Sequence, residues 1–264
     1  MTSGHSGRER FSGDRMDLDL EFLWTNLGEA VRGIPTTLAI IGVAMAIGIP
    51  LAFFIALARL NHIKVLSPIL TLIISFLRGT PMMVQIFLVY NGMPLLLKAV
   101  TGPDFDVYSV PPILYAFLVF ALNASAAYSE MWKAGLSSVG PRQLEAAQTV
   151  GLSGPQAYWH IIIPQAVNVS LPSFCSSTLT MLKNTSLVFV MTVMDITARA
   201  KVAAGLEYKY VEGYLDMFLV YLVVCSLIEL AFKLIEKKMR RYQTDSAKNG
   251  KAGSGQAGKV KAAV

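Results

Sequence analysis

Gly33–Ala58 has the sequence GIPTTLAIIGVAMAIGIPLAFFIALA and contains no charged side chain. An α-helix rises about 1.5 Å per residue, so about 20 apolar residues are needed to cross a hydrocarbon core about 30 Å thick. Pro35 falls in the first turn of this run, where proline is tolerated. Pro50 falls inside it, where proline is expected to kink a helix. The run is therefore predicted to be the first membrane-spanning helix.

The composition of the whole chain also indicates a membrane protein. Of the 264 residues, 54% are hydrophobic and 15% are charged, whereas soluble domains have about 25% charged residues. The formal net charge of +6 arises at the end of the chain, because the residues from Lys233 onward contain nine Lys or Arg and two acids. The other 14 basic and 15 acidic residues sum to −1. A basic face that tracks nucleic acid is therefore not expected.

Four further apolar segments predict four further spans. Together with the first span they predict an all-α, integral membrane bundle of about five transmembrane helices. A shorter stretch, Val65–Leu77, cannot cross a bilayer and is predicted to be an interfacial helix before the second span. Residues 135–159 break the apolar pattern and are predicted to be a loop with short helices. The later spans are predicted at Pro81 to about Leu97, Pro111 to Met131, Val167 to Leu187 and Leu215 to Leu234.

The distribution of charge predicts the topology and the domain boundaries. Lys and Arg are enriched in cytoplasmic loops, so the loops after spans one and three and the tail are predicted inside, with the N-terminus outside. Residues 1–32 are predicted to be a mostly disordered extension with a short amphipathic lead-in, residues 33–235 the membrane domain, and residues 236–264 a basic, disordered cytoplasmic tail. The loop residues used are Arg59, His62, Lys64, Lys133 and Arg142 on the basic side, and Asp17, Asp19, Glu21, Asp104 and Asp106 on the acidic side.

The loop between spans three and four carries a distinctive pattern. Glu145-Ala146-Ala147 is followed four positions later by Gly151, and Ile163-Pro164 stands at the start of span four. The pattern predicts a short helix, a glycine break and a second helix. Small side chains would let the first helix enter a cleft of a cytoplasmic partner, and glycine permits a sharp turn. On spacing alone an ordinary helical hairpin explains the pattern equally well, because Glu-Ala-Ala is common in helices.

Other motifs accompany this loop in a fixed order. They are Phe76-Leu77-Arg78-Gly79-Thr80-Pro81, Ala127-Tyr128-Ser129-Glu130, Pro164-Gln165-Ala166 and Leu182-Lys183-Asn184-Thr185-Ser186-Leu187. With Glu145-Ala146-Ala147 and Gly151 as the EAA loop, they resemble the importer-type ABC permeases of the polar amino acid branch, the histidine/glutamine-type permeases. The resemblance covers about Gly33 to Arg241. Departures are Asn184 where the family has Asp, Arg142-Gln143 where it has Gly-Gln, and Trp132-Lys133 where it has Arg a few residues after the Glu of span three.

The resemblance implies an ABC type-1 permease fold in the cell (inner) membrane and a function in importing polar amino acids. It implies that Glu145, Ala146, Ala147, Gly151, Ile163 and Pro164 form a coupling loop that docks on an ATP-binding subunit. The implied partners are two such ATPase subunits, a second permease copy or paralogue, a solute-binding protein outside, and the amino acid. ATP and magnesium are expected only in the ATPase, with no cofactor in this chain. Asn184 and the stretch Asp195–Lys201 favour cystine or a related sulfur amino acid.

Two charged residues fall inside predicted spans, Glu130 in the third and Lys183 in the fourth. A charge at the bilayer centre costs at least ~2.5 kcal/mol, so it normally faces the protein interior. A Lys and a Glu facing one cavity could hold the carboxylate and the ammonium of an amino acid, so Glu130, Lys183 and Asn184 are predicted to line the substrate pathway. An ion pair that only fixes the bundle explains the two charges equally well. Arg78, Gly79 and Pro81 are predicted to have structural or interfacial roles.

The sequence offers little to enzymatic chemistry. It has no Gly-x-x-x-x-Gly-Lys-Ser/Thr phosphate loop, no Ser/His/Asp constellation and no metal-ligand spacing, so neither a catalytic residue nor a metal site is predicted. An ion-gradient-driven secondary transporter is the first alternative, although internal repeats are expected there and no motif recurs. A membrane-embedded enzyme is the second, and it would need paired catalytic groups where only Lys183 and Glu130 stand.

Overall fold

The regular structure is helical throughout the part of the chain that the computed structural model describes, residues 19–102, 106 and 109–261. Side chains are described as far as Met239, except that of Pro141. A π-helical segment, Tyr158–Ile162, leads into α8, and a 3₁₀ segment, Thr185–Met191, follows it. The helices are α1 (Leu20–Val31), α2 (Ile34–Leu60), α3 (Leu66–Gly79), α4 (Met82–Thr101), α5 (Pro112–Val139), α6 (Pro141–Thr149), α7 (Gly154–Ala157), α8 (Ile163–Asn184), α9 (Ile196–Glu207) and α10 (Tyr210–Lys261).

Four helical segments among the described residues are long and apolar enough to cross a membrane. They are Leu20–Leu60, which joins α1 to α2, then Met82–Thr101, Pro112–Val139 and Tyr210–Met239. The 22 residues of α8 are about 33 Å long, which is enough to cross a bilayer. Its many Ser and Thr residues lower its hydropathy, so α8 is not among the four apolar segments. The predicted all-α membrane bundle is confirmed, and the fourth predicted span corresponds to α8 in length but not in apolar composition.

The break between α3 and α4 is the one that the motif at Arg78–Pro81 predicts. Gly79 ends α3, Thr80 is extended, and Pro81 precedes the first residue of α4. The 14 residues of α3 are too few to cross a bilayer, in agreement with the predicted short helix. Pro50 lies within α2 without ending it.

The centre of the bundle is a close contact of α2, α5 and α8. A Cβ on Gly48 of α2 would lie 2.5 Å from the Cβ of Ala124 on α5, and a Cβ on Gly135 of α5 would overlap α8. Small residues allow helix backbones to approach in lipid, where packing rather than the hydrophobic effect holds helices together. Aromatic rings fill the same junction, since Trp132 of α5 packs edge-on against Phe53 and Phe174.

A second contact region joins α1, α9 and α10. Asp195 is fully buried, accepts a hydrogen bond from the backbone N–H of Ala198 at 2.8 Å, and so caps α9. The hydroxyl of Tyr221 on α10 donates to the same carboxylate at 3.2 Å. On the neighbouring turn, the amide of Asn26 in α1 donates to buried Asp216 at 2.6 Å. Both acids are thus bonded within the contact region of α1, α9 and α10.

The predicted domain boundaries stay predictions. Residues 1–18 of the predicted N-terminal extension, which include Asp17, and the loop acid Asp104 lie outside the described residues. The predicted amphipathic lead-in coincides with α1, which packs on α9 and α10. The helical backbone of α10 continues to Lys261, past the predicted end of the membrane domain at residue 235.

Candidate functional site

The loop between α5 and α8 is built around a short helix, α6, with a left-handed glycine at each end. Gly140 has φ +74° directly before α6, and Gly151 has φ +86° shortly after it. A residue with a Cβ is strained at such φ values even where there is room, and no atom lies within 4 Å of a Cβ built at either position. The predicted break at Gly151 is therefore present, and the sequence analysis missed its counterpart at Gly140.

The residues of the predicted coupling loop divide between the two sides of α6. Glu145 and Ala146 are exposed, whereas Ala147 is 3% exposed. After the turn, the side-chain oxygen of Gln156 accepts from the backbone N–H of Ser153 at 2.9 Å and from its hydroxyl at 2.8 Å. Ile163 is half-buried and Pro164 is exposed at the start of α8, which continues without a break from the π-helical segment.

Two large apolar side chains of this loop are exposed. Val150 is 76% exposed and Trp159 is 71% exposed. Trp is enriched among the residues that dominate binding interfaces, so Trp159 is a candidate contact for a partner. Neither residue belongs to the motifs of the sequence, and the signal that could have marked Trp159 is a Trp in a loop of low hydropathy.

A cluster of charges joins α2, α3 and α5. The guanidinium of Arg59, at the end of α2, donates to Oε1 of Glu130 on α5 at 2.6 Å and to the hydroxyl of Thr71 on α3 at 3.2 Å. Arg78, at the end of α3, has a guanidinium nitrogen 3.9 Å from the same Glu130 oxygen. The exposed fractions are 7% for Arg59, 32% for Glu130 and 55% for Arg78. Glu130 is therefore the counter-ion of a buried arginine that the sequence analysis had counted as a loop charge.

The junction that carries Arg78 is held by a glutamine that the sequence analysis missed. The amide nitrogen of buried Gln85, on α4, donates to the carbonyls of Leu77 and Thr80 at 2.8 and 3.1 Å. Its amide oxygen accepts from Asn123 of α5 at 2.7 Å. These bonds fix the break between α3 and α4, at Gly79 and Pro81, to the middle of α5.

Beside this cluster lies an open cleft of about 620 Å³ between the end of α3, α5 and α8. Four hydroxyl residues of α8 line it, and they recur every three or four residues, so they share one helix face. Two of them donate back to their own helix: Ser176 to the carbonyl of Pro172 at 3.1 Å and Thr180 to that of Ser176 at 2.9 Å. The polar lining residues are Arg78, Glu130, Ser173, Ser176, Ser177 and Thr180.

Lys183 and Asn184 lie on the same face of α8, one turn beyond Thr180. Lys183 is exposed and lines no part of the cleft, and it is ten residues, about 15 Å, along the helix from Ser173. Lys183 and Glu130 form no ion pair, and Glu130 lies within ion-pair distance of Arg59 and Arg78. The two charges that the sequence suggested as a pair thus lie apart: Glu130 lines the cleft from α5, and Lys183 lies on α8 outside the cleft lining. Among the described residues, no group of three or more His, Cys, Asp or Glu could hold a metal ion.

Comparison with known proteins gives a consistent result. The family model described as binding-protein-dependent transport system inner membrane component matches residues 48–241. The L-cystine transport system permease protein TcyL of Bacillus subtilis (strain 168) is 36% identical over 80% of this chain and 87% of TcyL. The probable amino-acid permease protein YxeN of the same organism is 34% identical over 86% of this chain and 99% of YxeN.

A solved structure has the same architecture. The crystal structure of an amino acid ABC transporter with histidines superposes with a TM-score of 0.71 at 29% sequence identity, covering 84% of this chain and 100% of that one. The family match extends from within α2 to α10 and includes the α5–α8 loop, the cleft and its charges. With its apolar helices, the chain is a multi-pass inner membrane protein and a transport component. It belongs to the family of binding-protein-dependent transport system inner membrane components.

Proposed function

We propose that this chain is the permease subunit of an ATP-driven importer of polar amino acids, with L-cystine or a related amino acid as substrate. The observation that carries the proposal is α6, a short exposed helix set off by two left-handed glycines between the helices that line the cleft. A helix presented in this way is suited to transmit movement from a partner to α5 and α8. Membership of a binding-protein-dependent family and the names of TcyL and YxeN support the transport of amino acids.

The proposed partner of α6 is an ABC ATPase subunit, which would bind ATP and magnesium in place of this chain. Glu145 and Ala146 would face it, with the exposed side chains of Val150 and Trp159 beside them as apolar anchors. Ala147 would have a packing role, because it is 3% exposed. Gly151, Ile163 and Pro164 would hold the angle between α6 and α8.

The proposed topology places the N-terminus outside and the C-terminus in the cytoplasm. The basic residues around the α2–α3 and α5–α8 connections and the basic end of α10 support this orientation. It puts α6 on the side where the ATPase operates. It also leaves the opposite end of the bundle, near α1 and α9, for a solute-binding protein.

The proposed route of the substrate follows the polar face of α8 between Lys183 with Asn184 at one end and Glu130 at the other. A second permease, as a copy or a paralogue, would close the open side of the cleft. ATP binding would move the α6 helices of the two permeases together and change the side to which this path opens, which is alternating access. Binding-protein dependence favours this mechanism over an ion-gradient-driven carrier.

Reconstitution tests the proposal. The chain, with its cognate ATPase and binding protein in proteoliposomes, is expected to accumulate labelled L-cystine only when ATP is supplied on the α6 side. A cysteine at exposed Ala146 should cross-link to the ATPase, whereas a cysteine at exposed Leu95 of α4 serves as a control that should not. Uptake without ATP, driven by a sodium or proton gradient, would refute the proposal.

A further inference from the structure

The charge cluster beside the cleft is not neutral. It contains two guanidinium groups, Arg59 and Arg78, and one carboxylate, Glu130. Arg59 is buried and makes the short contact of 2.6 Å, so the negative charge of Glu130 is already compensated. The excess positive charge of the cluster therefore resides on Arg78, and Arg78 and Glu130 are the two charged residues in the cleft lining.

Arg78 is free to bind a ligand. Its side chain is 55% exposed, and the 3.9 Å separation from Glu130 is too long for a hydrogen bond. Within the described residues, no acceptor is hydrogen-bonded to Arg78. A guanidinium presents five N–H donors in a planar fork that fits a carboxylate through two parallel hydrogen bonds. An ion pair this exposed contributes little to stability, so the fold does not explain why Arg78 stands there.

We propose that Arg78 binds the α-carboxylate of the substrate in the cleft, and that it thereby selects substrates with a free α-carboxylate. The inference rests on the proposed function as an amino acid permease. It assigns to Arg78 the role that sequence reasoning gave to Lys183, which lies one turn beyond the cleft residue Thr180 and does not line the cleft. Glu130 keeps Arg59 occupied and leaves Arg78 to the ligand.

The polar face of α8 supports the same assignment. Ser173, Ser176 and Thr180 are exposed on the cleft wall that faces the α3 and α5 charges. Since the hydroxyls of Ser176 and Thr180 donate to carbonyls of their own helix, their oxygens are left as acceptors toward the cleft. Acceptors suit an ammonium rather than a carboxylate. The carboxylate is therefore left to Arg78, the cation in the cleft lining.

The test compares amino acids with their α-carboxamides, which lack the negative charge. L-cystine and L-histidine serve as probes, each beside its α-carboxamide, with the reconstituted complex. The variants are Arg78→Gln, Arg78→Lys and the control Lys64→Gln, which removes an exposed positive charge between α2 and α3, outside the cleft lining. Thermal unfolding of each purified variant is measured in parallel.

Arg78→Gln is expected to lower the transport efficiency for the amino acid at least tenfold and to leave that for the carboxamide unchanged, so that discrimination between the two disappears. Arg78→Lys should retain part of the discrimination, and Lys64→Gln should retain all of it. The inference is overturned if Arg78→Gln transports the amino acid with wild-type efficiency, or loses acid and carboxamide equally. Failure of the wild-type complex to transport any amino acid would instead overturn the proposed function, and this inference with it.

Discussion

Replacing Glu130 by Gln should destabilise the bundle far more than replacing its partner. Arg59 is 7% exposed, and apart from Glu130 its guanidinium has only the 3.2 Å bond to Thr71 among the described residues. Removing one member of a buried pair costs about 3–5 kcal/mol, because a buried charge is left uncompensated. A glutamine oxygen can still accept one hydrogen bond from Arg59, so the lower end, about 3 kcal/mol, is expected. For a chain of this size that corresponds to a fall in Tm of roughly 6–12 °C.

The substitution of the partner, Arg59→Met, leaves the carboxylate of Glu130 without Arg59, at a site that is more exposed to solvent than that of Arg59. Glu130 is 32% exposed and keeps Arg78 at 3.9 Å, and methionine preserves much of the apolar stem of arginine. The expected cost is about 1 kcal/mol, in the range of exposed ion pairs. The double variant Arg59→Met/Glu130→Gln removes both charges and should recover most of the stability that Glu130→Gln loses.

Thermal unfolding in detergent, followed by tryptophan fluorescence, measures all four proteins. The expected order of Tm is wild type, then Arg59→Met and the double variant, with Glu130→Gln lowest. Equal losses in the two single variants, or additive losses in the double variant, would refute the pairing. The double variant also separates misfolding from a transport defect at Glu130. Loss of uptake in Glu130→Gln is due to the substrate pathway only if the double variant is folded and is still inactive.

Three further predictions concern the loop, the topology and pH. Gly151→Ala should uncouple ATP hydrolysis from uptake while the protein still inserts into the membrane. The control Gly154→Ala should have no effect, because Gly154 also has open space around it but has no positive φ. Equal effects of the two substitutions would contradict the role of the left-handed turn at Gly151. Reporter fusions at Asp104 and Lys248 should report opposite sides of the membrane, and matching signals would overturn the span count. The hydrogen bond from Lys209 and that from the N–H of Phe22 hold the pKa of Asp19 below its usual range, so their stabilisation is present above the ordinary carboxyl pKa and lost as pH falls through the lowered value. Asp19→Asn should therefore flatten the acid side of the Tm–pH curve, and an unchanged curve would contradict this.

Local patterns predicted the elements of this fold well. The charge-free run at Gly33–Ala58 lies almost wholly within α2, and the break at Arg78–Pro81 separates α3 from α4 where the motif stands. The turn at Gly151 was also predictable, because glycine supplies a backbone conformation that other residues adopt at a cost. Each of these features depends on residues close together in the chain, so a single sequence contains the needed information.

The contacts that define the site could not be predicted from the sequence, because they join residues that are far apart in the chain. Arg59 and Glu130 are 71 positions apart, and Gln85 and Asn123 are 38 apart. Charge counting placed Arg59 in a loop because a basic residue after an apolar run normally lies at the membrane surface. Likewise, Asp216 is buried in α10 and accepts a hydrogen bond from Asn26, which lies 190 positions earlier in the chain. Pairing of this kind depends on which helix faces lie together, which hydropathy does not specify.

The polarity of α8 follows from its position. Its apolar positions, such as Leu171, Phe174 and Leu182, are buried, while the stripe from Ser173 to Lys183 is exposed on the opposite side. Polar side chains at membrane depth must face protein or water, because lipid offers them no hydrogen bonds. A helix that is long enough to cross the membrane but too polar to be surrounded by lipid therefore indicates a polar path or a second subunit along one side. The polar residues that set α8 apart from the apolar membrane-spanning helices are thus the ones that give the proposed path its chemistry.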